Sequence, residues 1–172
     1  MNGIIIFKGK YGATRQYAVW LGSMLGIPAV AAGTEAQEQL QKADVVILGT
    51  SIYIGKLQLR NWIKQHRQLL YNKRLFLFLV CGTPLNETEK LHGYINDNLP
   101  AEIRNRCTCF FYPGKLEFSK LSLIDRILLT LGAKLAKSKG ETIRITDYNQ
   151  VSKEHLDALA AAVRTAEKVS AV

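Results

Sequence analysis

The sequence predicts an α/β fold, in which a doubly wound, five-stranded parallel sheet carries helices on both faces. Short apolar runs alternate with longer segments of helical periodicity along most of the chain. The apolar runs show little polar alternation, which is typical of parallel strands that are buried on both faces. Right-handed crossovers leave few topologies for such a chain, and the doubly wound sheet is the simplest of them.

Each element has its own signal in the sequence. The strands are continuous apolar runs, and the last of them is stopped by Pro113-Gly114. The predicted strands are Gly3–Lys8, Pro28–Ala32, Asp44–Gly49, Arg74–Val80 and Arg106–Tyr112. The helical segments repeat apolar residues every three or four positions. They are Thr14–Leu25, a segment opened by Thr34, Leu57–Leu70, Glu87–Leu99, Ser119–Ser138 and a final helix capped by Ser152, with a short extended piece at Thr142–Asp147.

Length and charge limit the function. A chain of 172 residues fits one domain, and its content of 48% apolar and 22% charged residues is ordinary for a globular protein. The formal net charge of +9 predicts an anionic partner, which could be an acidic protein, a phosphate-bearing ligand, nucleic acid or a membrane surface. Solubility alone is the alternative explanation of this charge.

The cysteines and the amino terminus predict a cytoplasmic protein. The chain has an odd number of cysteines, and all three lie in apolar segments: Cys81, Cys107 and Cys109. This argues against a disulfide framework. The C-x-C pair has no second ligand pair, so no metal site is expected. The first strand starts at Gly3 and leaves no room for a signal peptide, and no apolar window reaches the length of a membrane span.

The loop after the first strand predicts an anion site. It contains Gly9 and Gly12 and leads into a helix that begins near Thr14, so backbone N–H groups and the helix dipole would face a bound anion. The dinucleotide fingerprint and the P-loop pattern are both absent. A single phosphate suits this loop, with Lys8, Lys10 or Arg15 nearby. Ligands of doubly wound folds bind at the carboxyl ends of the strands, so the loops after strands one, three and four are expected to form the site.

The segment Ser119–Ser138 predicts a basic amphipathic helix. Lysine and arginine surround its apolar stripe, and Asp125 is the one acidic residue among them. The stripe is Leu121, Ile124, Leu128, Leu131 and Leu135. The helix could pack on the sheet, or residues 119–139 could contact an anionic membrane or an acidic partner at the inner face of the membrane.

The order of several short motifs resembles a known family. The motifs are Gly12-Ala13-Thr14-Arg15, Gly49–Gly55, Tyr112–Leu116, Asp125-Arg126, Gly140–Thr142 and Thr146–Tyr148. Together they resemble flavodoxin-fold proteins that bind flavin mononucleotide (FMN), above all the menaquinone-dependent protoporphyrinogen oxidases and their flavodoxin-domain relatives. The resemblance implies a flavodoxin-like sheet order 2-1-3-4-5 in one domain, residues 1–172, with a basic helical insert at about 115–141.

The resemblance also implies a set of FMN-binding residues. Those of the first loop would wrap the phosphate: Lys8, Gly9, Lys10, Tyr11, Gly12, Ala13 and Thr14. Those of the second would flank the isoalloxazine ring, with Tyr53 as the candidate stacking partner: Thr50, Ser51, Ile52, Tyr53 and Gly55. Those of the third would face its pyrimidine side: Cys81, Gly82 and Thr83. No catalytic side chain is predicted, because the cofactor carries the electrons.

Three functions stay open at this point. The first is an FMN-dependent oxidoreductase of heme biosynthesis, which oxidises a porphyrinogen and reduces a quinone. The second is an electron-transfer protein that serves a separate reductase. The third is a flavodoxin-like domain without cofactor, because Lys8 and Gly9 stand where the family usually has hydroxyl residues. Nucleic-acid binding is not expected, since no aromatic and basic motif supports it.

Overall fold

The computed structural model describes residues 2–138 and 145–170, without the side chains of residues 168–170. The strands are β1 (Gly3–Lys8), β2 (Ala29–Ala31), β3 (Val45–Tyr53), β4 (Lys56–Leu57), β5 (Arg74–Cys81), β6 (Cys107–Pro113), β7 (Lys115–Leu116) and β8 (Tyr148–Asn149). The helices are α1 (Ala13–Leu25), α2 (Gln37–Lys42), α3 (Arg60–Gln65), α4 (Arg67–Leu70), α5 (Thr88–Asn98), α6 (Ala101–Arg104), α7 (Leu123–Ser138) and α8 (Asp157–Ser170). Single 3-10 turns lie at Phe118–Lys120 and Lys153–Leu156.

The predicted fold class and strand order are confirmed. The five main strands are parallel and lie in the order β2-β1-β3-β5-β6, which is the order 2-1-3-4-5 when they are numbered along the chain. The short strand β4 pairs antiparallel with the end of β3, and β7 and β8 form a separate antiparallel ribbon. The central strands β1, β3 and β5 are buried because both of their faces are covered.

An apolar layer covers each face of the sheet. On one face, Trp62 and Ile63 of α3 and Ile95 of α5 pack with the strands. On the other face, Tyr17 and Leu21 of α1 pack with the strands, together with apolar residues of α8. Full burial of one large aliphatic side chain contributes about 1.5–3 kcal/mol, so these two layers are the main source of stability. The sheet therefore holds its strand ends, and the loops that follow them, in fixed positions.

The segment after the third strand differs from the prediction. A loop was expected from Gly49 to Lys56, but β3 continues to Tyr53 and turns at Ile54 and Gly55 into β4. The turn places both residues at positive φ, 49° and 67°, a region that glycine enters without strain. The strand continues because the ladder with β5 extends to Ser51, after which β4 supplies the next partner.

Other elements also differ from the predicted boundaries. The expected helix Leu57–Leu70 is wrong at its start, because Leu57 pairs with Ile52 in β4, and it is broken between α3 and α4 at His66. The short helix α6 and the β7–β8 ribbon were not predicted. Ser152 caps the 3-10 turn before α8 by accepting the N–H of Glu154, as predicted. The first half of the extended piece predicted at Thr142–Asp147 lies outside the described residues.

The helix α7 does not bury its apolar stripe. Its described residues start at Leu123, and only Asp125 and Ala136 are buried. Leu121, which precedes the helix, is buried, but the other four residues of the stripe are exposed, Ile124 by 68% and Leu135 by 65%. The prediction that this stripe packs on the sheet is therefore wrong for the described residues of α7. None of the helices in the described ranges combines the length and apolar character needed to cross a membrane.

Candidate functional site

The sheet brings the three predicted loops to one edge. Lys8 is the last residue of β1 and pairs with Thr50 of β3, and Ser51 of β3 pairs with Val80 near the end of β5. A Cβ atom built on Gly9 would lie 3.5 Å from Ser51 Oγ, so the first and second loops are in direct contact. Loops at the carboxyl edge of such a sheet form the usual ligand position of this architecture.

The first loop presents the amino terminus of α1. Gly12 precedes this helix at a φ of 84°, and no side chain caps the helix end. No acidic residue lies in the first turn, so the N–H groups of that turn face the loop without a negative charge from their own helix. Thr14 is buried beneath Gly9, where a Cβ atom would come within 2.4 Å of Thr14 Oγ1. Gly9 is thus required for the close approach of the loop to the helix.

The second loop has one structural residue and several accessible ones. Thr50 is fully buried, and its Oγ1 accepts the N–H of Leu59 while donating to the carbonyl of Ser51. This hydroxyl joins the end of β3 to the segment before α3. Half-exposed positions follow it, Ser51, Ile52 and Tyr53, and then the exposed Gly55 at the turn. These later residues are the ones that a ligand at the sheet edge can contact.

The third loop is partly covered by the carboxyl-terminal segment. Cys81 ends β5 and is buried, and this burial raises the pKa of its thiol. The Tyr148 hydroxyl covers Gly82, because a Cβ atom there would lie 2.6 Å from that oxygen. Thr83 Oγ1 lies 3.2 Å from the Tyr94 hydroxyl of α5. Cys81, Cys107 and Cys109 are free thiols.

An aspartate of the insert reaches these loops, and the sequence reasoning did not find it. Asp125, in the first turn of α7, is only 5% exposed. Lys10 Nζ lies 2.8 Å from its Oδ1 and 2.7 Å from its Oδ2. The Tyr53 hydroxyl donates to Oδ1 over 2.5 Å, and the Tyr11 hydroxyl donates to Oδ2. We call these four residues, Lys10, Tyr11, Tyr53 and Asp125, the Asp125 cluster.

The cluster holds Lys10 on the ring of Tyr53. The ammonium nitrogen lies 4.0 Å from the centre of the Tyr53 ring and 5.7 Å from that of Tyr11. The hydrogen bond to Asp125 raises the pKa of Lys10, and burial opposes this effect. Tyr53, the candidate stacking partner of the flavin, therefore carries a cation over one face of its ring. The one sequence signal for the cluster was a lone acid in a basic helix.

Cavities lie near both ends of the sheet in the described part of the chain. A small one of about 60 Å³ lies between the first loop and the insert, lined by Tyr11, Lys115, Leu116, Glu117, Lys120 and Leu121. A wider one of about 490 Å³ lies at the opposite edge, beside Asn2, Gly3 and Pro28. Within the described residues, no group of three or more histidine, cysteine, aspartate or glutamate side chains could hold a metal ion.

Comparison with known proteins then decides the family. Residues 4–143 match the flavodoxin domain. The chain belongs to the flavodoxin domain family. Members of this family typically bind FMN. No curated protein matches this chain.

Solved structures similar to this flavodoxin domain share little sequence with it. The two-electron-reduced flavodoxin of Megasphaera elsdenii is 15% identical, with 63% of this chain and 82% of that chain covered and a TM-score of 0.46. The WrbA-like flavodoxin of Agrobacterium tumefaciens is also 15% identical, with 79% and 95% covered and a TM-score of 0.42. A flavodoxin from the domain Archaea is 15% identical, with 82% and 100% covered and a TM-score of 0.41.

The loops of this flavodoxin domain can be tested for their fit to FMN. The phosphate end fits, because the α1 amino terminus has no acidic residue, Gly9 permits a tight loop, and Lys8 and Arg15 are exposed cations. At the ring end, Lys10 Nζ lies 4.0 Å from the centre of the Tyr53 ring, over the candidate stacking partner of the flavin. The assignment of the individual residues to FMN stays a prediction.

Proposed function

We propose that the protein binds FMN at the carboxyl edge of its sheet and acts as an oxidoreductase. The observation that carries this proposal is the meeting of three loops beside an uncapped helix terminus without acidic residues. FMN, when bound, supplies the reversible uptake of electrons that protein side chains lack.

The residues of the three loops then have distinct roles. Lys8 and the amides of Gly12–Thr14 bind the phosphate, since cations and helix-terminal N–H groups are the usual phosphate ligands of proteins. Ser51, Ile52, Tyr53 and Gly55 flank the flavin ring. Cys81–Thr83 face its pyrimidine side. Thr50 positions the second loop through its bond with Leu59 rather than by contact with FMN.

We further propose that the protein oxidises a porphyrinogen and reduces a quinone at the inner surface of the membrane. Two observations support this finer function. The motif order resembles that of menaquinone-dependent protoporphyrinogen oxidases, and α7 presents an outward apolar stripe beside Lys134 and Lys137. An apolar face flanked by lysines is typical of helices that lie on anionic bilayers, and quinones reside in the bilayer.

A flavodoxin-like domain without cofactor is the second candidate. The Asp125 cluster favours it, because it places a carboxylate and a bound lysine where the flavin ring is expected. An electron-transfer protein that serves a separate reductase differs from the leading proposal in turnover, since it would cycle its flavin without oxidising porphyrinogen.

The visible spectrum of the purified protein tests FMN binding directly. We expect flavin absorption bands, or their appearance after incubation with FMN and removal of unbound cofactor. A protein that stays colourless and gives no FMN titration would overturn the proposal. Anaerobic assays with porphyrinogen and a menaquinone analogue then test the finer function, and flavin reduction without turnover would favour the electron-transfer alternative.

Vesicle binding tests the membrane contact. We expect Lys134→Glu/Lys137→Glu to lower binding to phosphatidylglycerol vesicles by about thirtyfold or more, since each lysine near an anionic surface contributes about 1 kcal/mol and about 1.4 kcal/mol corresponds to tenfold. The matched control is Lys64→Glu/Lys90→Glu, which makes the same charge change on α3 and α5. Equal loss in both variants would show a general charge effect, and unchanged binding of the α7 variant would contradict the contact.

A further inference from the structure

We propose that Asp125 is a built-in competitor of FMN: its carboxylate holds the binding loops in a closed arrangement, and FMN binding releases it together with the start of α7. This inference rests on the proposed binding of FMN. The structure shows the closed arrangement as the Asp125 cluster, in which three donors from two loops converge on one carboxylate.

The cluster is a complete recognition site for a carboxylate. Both oxygens of Asp125 are bonded, Oδ1 by Tyr53 and Lys10 and Oδ2 by Tyr11 and Lys10. The carboxylate is buried, so its charge needs these donors to offset the loss of water. Lys10 and Tyr11 come from the predicted phosphate loop, whereas Tyr53 comes from the predicted ring loop. One side chain of the insert therefore binds residues from both parts of the proposed FMN site.

The Asp125 cluster and bound FMN exclude one another for two reasons. Lys10 lies on the Tyr53 ring, and a planar flavin cannot stack on that face while the ammonium is there. The phosphate of FMN also brings negative charge to the loop that contributes Lys10 and Tyr11, and a buried carboxylate beside it would be repelled. The release of Asp125 relieves both conflicts and leaves Lys10 available to the phosphate.

The start of α7 is the element that the release affects. Among the described residues of α7, only Asp125 and Ala136 are buried, so Asp125 is the main buried contact of the first half of the helix. Two exposed residues of the apolar stripe, Ile124 and Leu128, belong to the same turns. By thermodynamic linkage, a surface that binds the released helix strengthens FMN binding, and FMN strengthens attachment to that surface by the same factor.

The test compares FMN affinities of apoproteins by quenching of flavin fluorescence. Asp125→Asn removes the competing charge at constant size, and we expect it to bind FMN at least tenfold more tightly than the wild type. The control is Glu117→Gln, an acid-to-amide change in the same segment whose carboxylate bonds Lys120 outside the Asp125 cluster. We expect it to bind FMN within twofold of the wild type.

Hydrogen exchange gives a second readout that needs no variant. In the wild type, we expect FMN to speed amide exchange in the first turns of α7 while it slows exchange in residues 8–14. Unchanged or slower exchange in α7 would overturn the inference, as would Asp125→Asn binding no tighter than the wild type; in both cases FMN binding itself stands. If neither the wild type nor the variant binds FMN, the proposed function fails, and the competitor role fails with it.

Discussion

The Tyr53 hydroxyl donates to Asp125 Oδ1 over 2.5 Å, and this bond connects the end of β3 to the insert across 72 positions of sequence. It forms because β3 continues past the edge of the sheet and places Tyr53 beside the first loop. The same carboxylate is held by Lys10, so the bond belongs to the contact that joins α7 to the candidate site. The following predictions concern other residues that shape the site and its support.

Gly9→Ala should distort the first loop. The new Cβ atom would lie 2.4 Å from Thr14 Oγ1 and 2.6 Å from Thr14 Cβ, and Thr14 is buried and cannot turn away. We expect the free energy of unfolding to fall by about 1–3 kcal/mol, as for other overpacked sites. FMN affinity should fall by about tenfold or more, which corresponds to about 1.4 kcal/mol. Urea unfolding and a fluorescence titration measure the two effects, and wild-type values in both would contradict this account of Gly9.

Gly49→Ala should destabilise the centre of the sheet. Its Cβ atom would meet the fully buried ring of Phe78 at 2.3 Å, so the loss should be about 1–3 kcal/mol in urea unfolding. Gly49→Ala/Phe78→Leu provides room for the new methyl group. The double variant should therefore lose less than the sum of the single changes, by at least about 0.5 kcal/mol.

Gly93→Ala is the matched control for both glycine variants. Apart from its chain neighbours and the backbone of its own helix, no atom of the described residues lies within 4 Å of a Cβ built on this residue of α5. Alanine in a helix is favoured over glycine by about 0.5–1 kcal/mol, so this variant should be slightly more stable than the wild type. A loss of stability here would mean that space around the Cβ atom does not explain the other two results.

Tyr112→Phe and Tyr17→Phe should change stability in opposite directions. The Tyr112 hydroxyl is buried and has no hydrogen-bond partner among the described residues, and its burial raises the pKa of Tyr112. Its removal should stabilise the protein by about 1 kcal/mol. The neighbouring Tyr17 hydroxyl donates to the carbonyl of Pro113 and accepts the N–H of Ser152, so its removal should cost about 0.5–1.5 kcal/mol. Thermal unfolding of both variants measures the contrast, and a loss for Tyr112→Phe would point to a partner of that hydroxyl in solution.

Glu35 should make stability depend on pH in the acidic range. Its carboxylate accepts Trp62 Nε1 and the N–H of Gly33, both over 2.6 Å. Burial acts to raise the pKa of Glu35, but these hydrogen bonds and the charge of His66 outweigh it and lower the pKa below 4.5. Because the pKa of Glu35 is lower in the folded state, its carboxylate stabilises the fold at pH values above its pKa in the unfolded chain. This contribution is lost as the pH falls through its pKa in the folded protein. Stability should therefore decrease below about pH 4.5.

Glu35→Gln tests this contribution. The variant should be about 1 kcal/mol less stable than the wild type at pH 7, and the difference should shrink below pH 4.5 as the wild-type carboxylate is protonated. Urea unfolding at several pH values measures it. Glu38→Gln, which breaks an exposed pair with Lys42, should change stability by less than about 0.5 kcal/mol. A difference for Glu35→Gln that stays constant with pH would show that its charge is not involved.

The sequence predicted the sheet because its strands carry the strongest local signal. Runs such as Ile4–Phe7 and Leu75–Val80 are apolar without interruption, and only burial on two faces accommodates them. The position of the three loops at the carboxyl edge of the sheet followed from the parallel topology. The Asp125 cluster did not, because periodicity shows that α7 has an apolar face but not which way that face points. From composition, the stripe could pack on the sheet or contact a membrane. No local sequence pattern indicates a contact between Tyr53 and Asp125, which are far apart in the chain.

The inward position of Asp125 also determines the colloidal behaviour of the protein. Of the described side chains of α7, those that are charged and face outward are all cations, Arg126, Lys134 and Lys137. At low ionic strength, we expect these cations to make two copies repel each other along α7, which keeps their apolar stripes from meeting. The Debye length shrinks from about 10 Å at 0.1 M salt to about 3 Å at 1 M. Concentrated stocks should therefore stay monomeric in dilute buffer and self-associate through α7 in concentrated salt, which light scattering across a salt series measures.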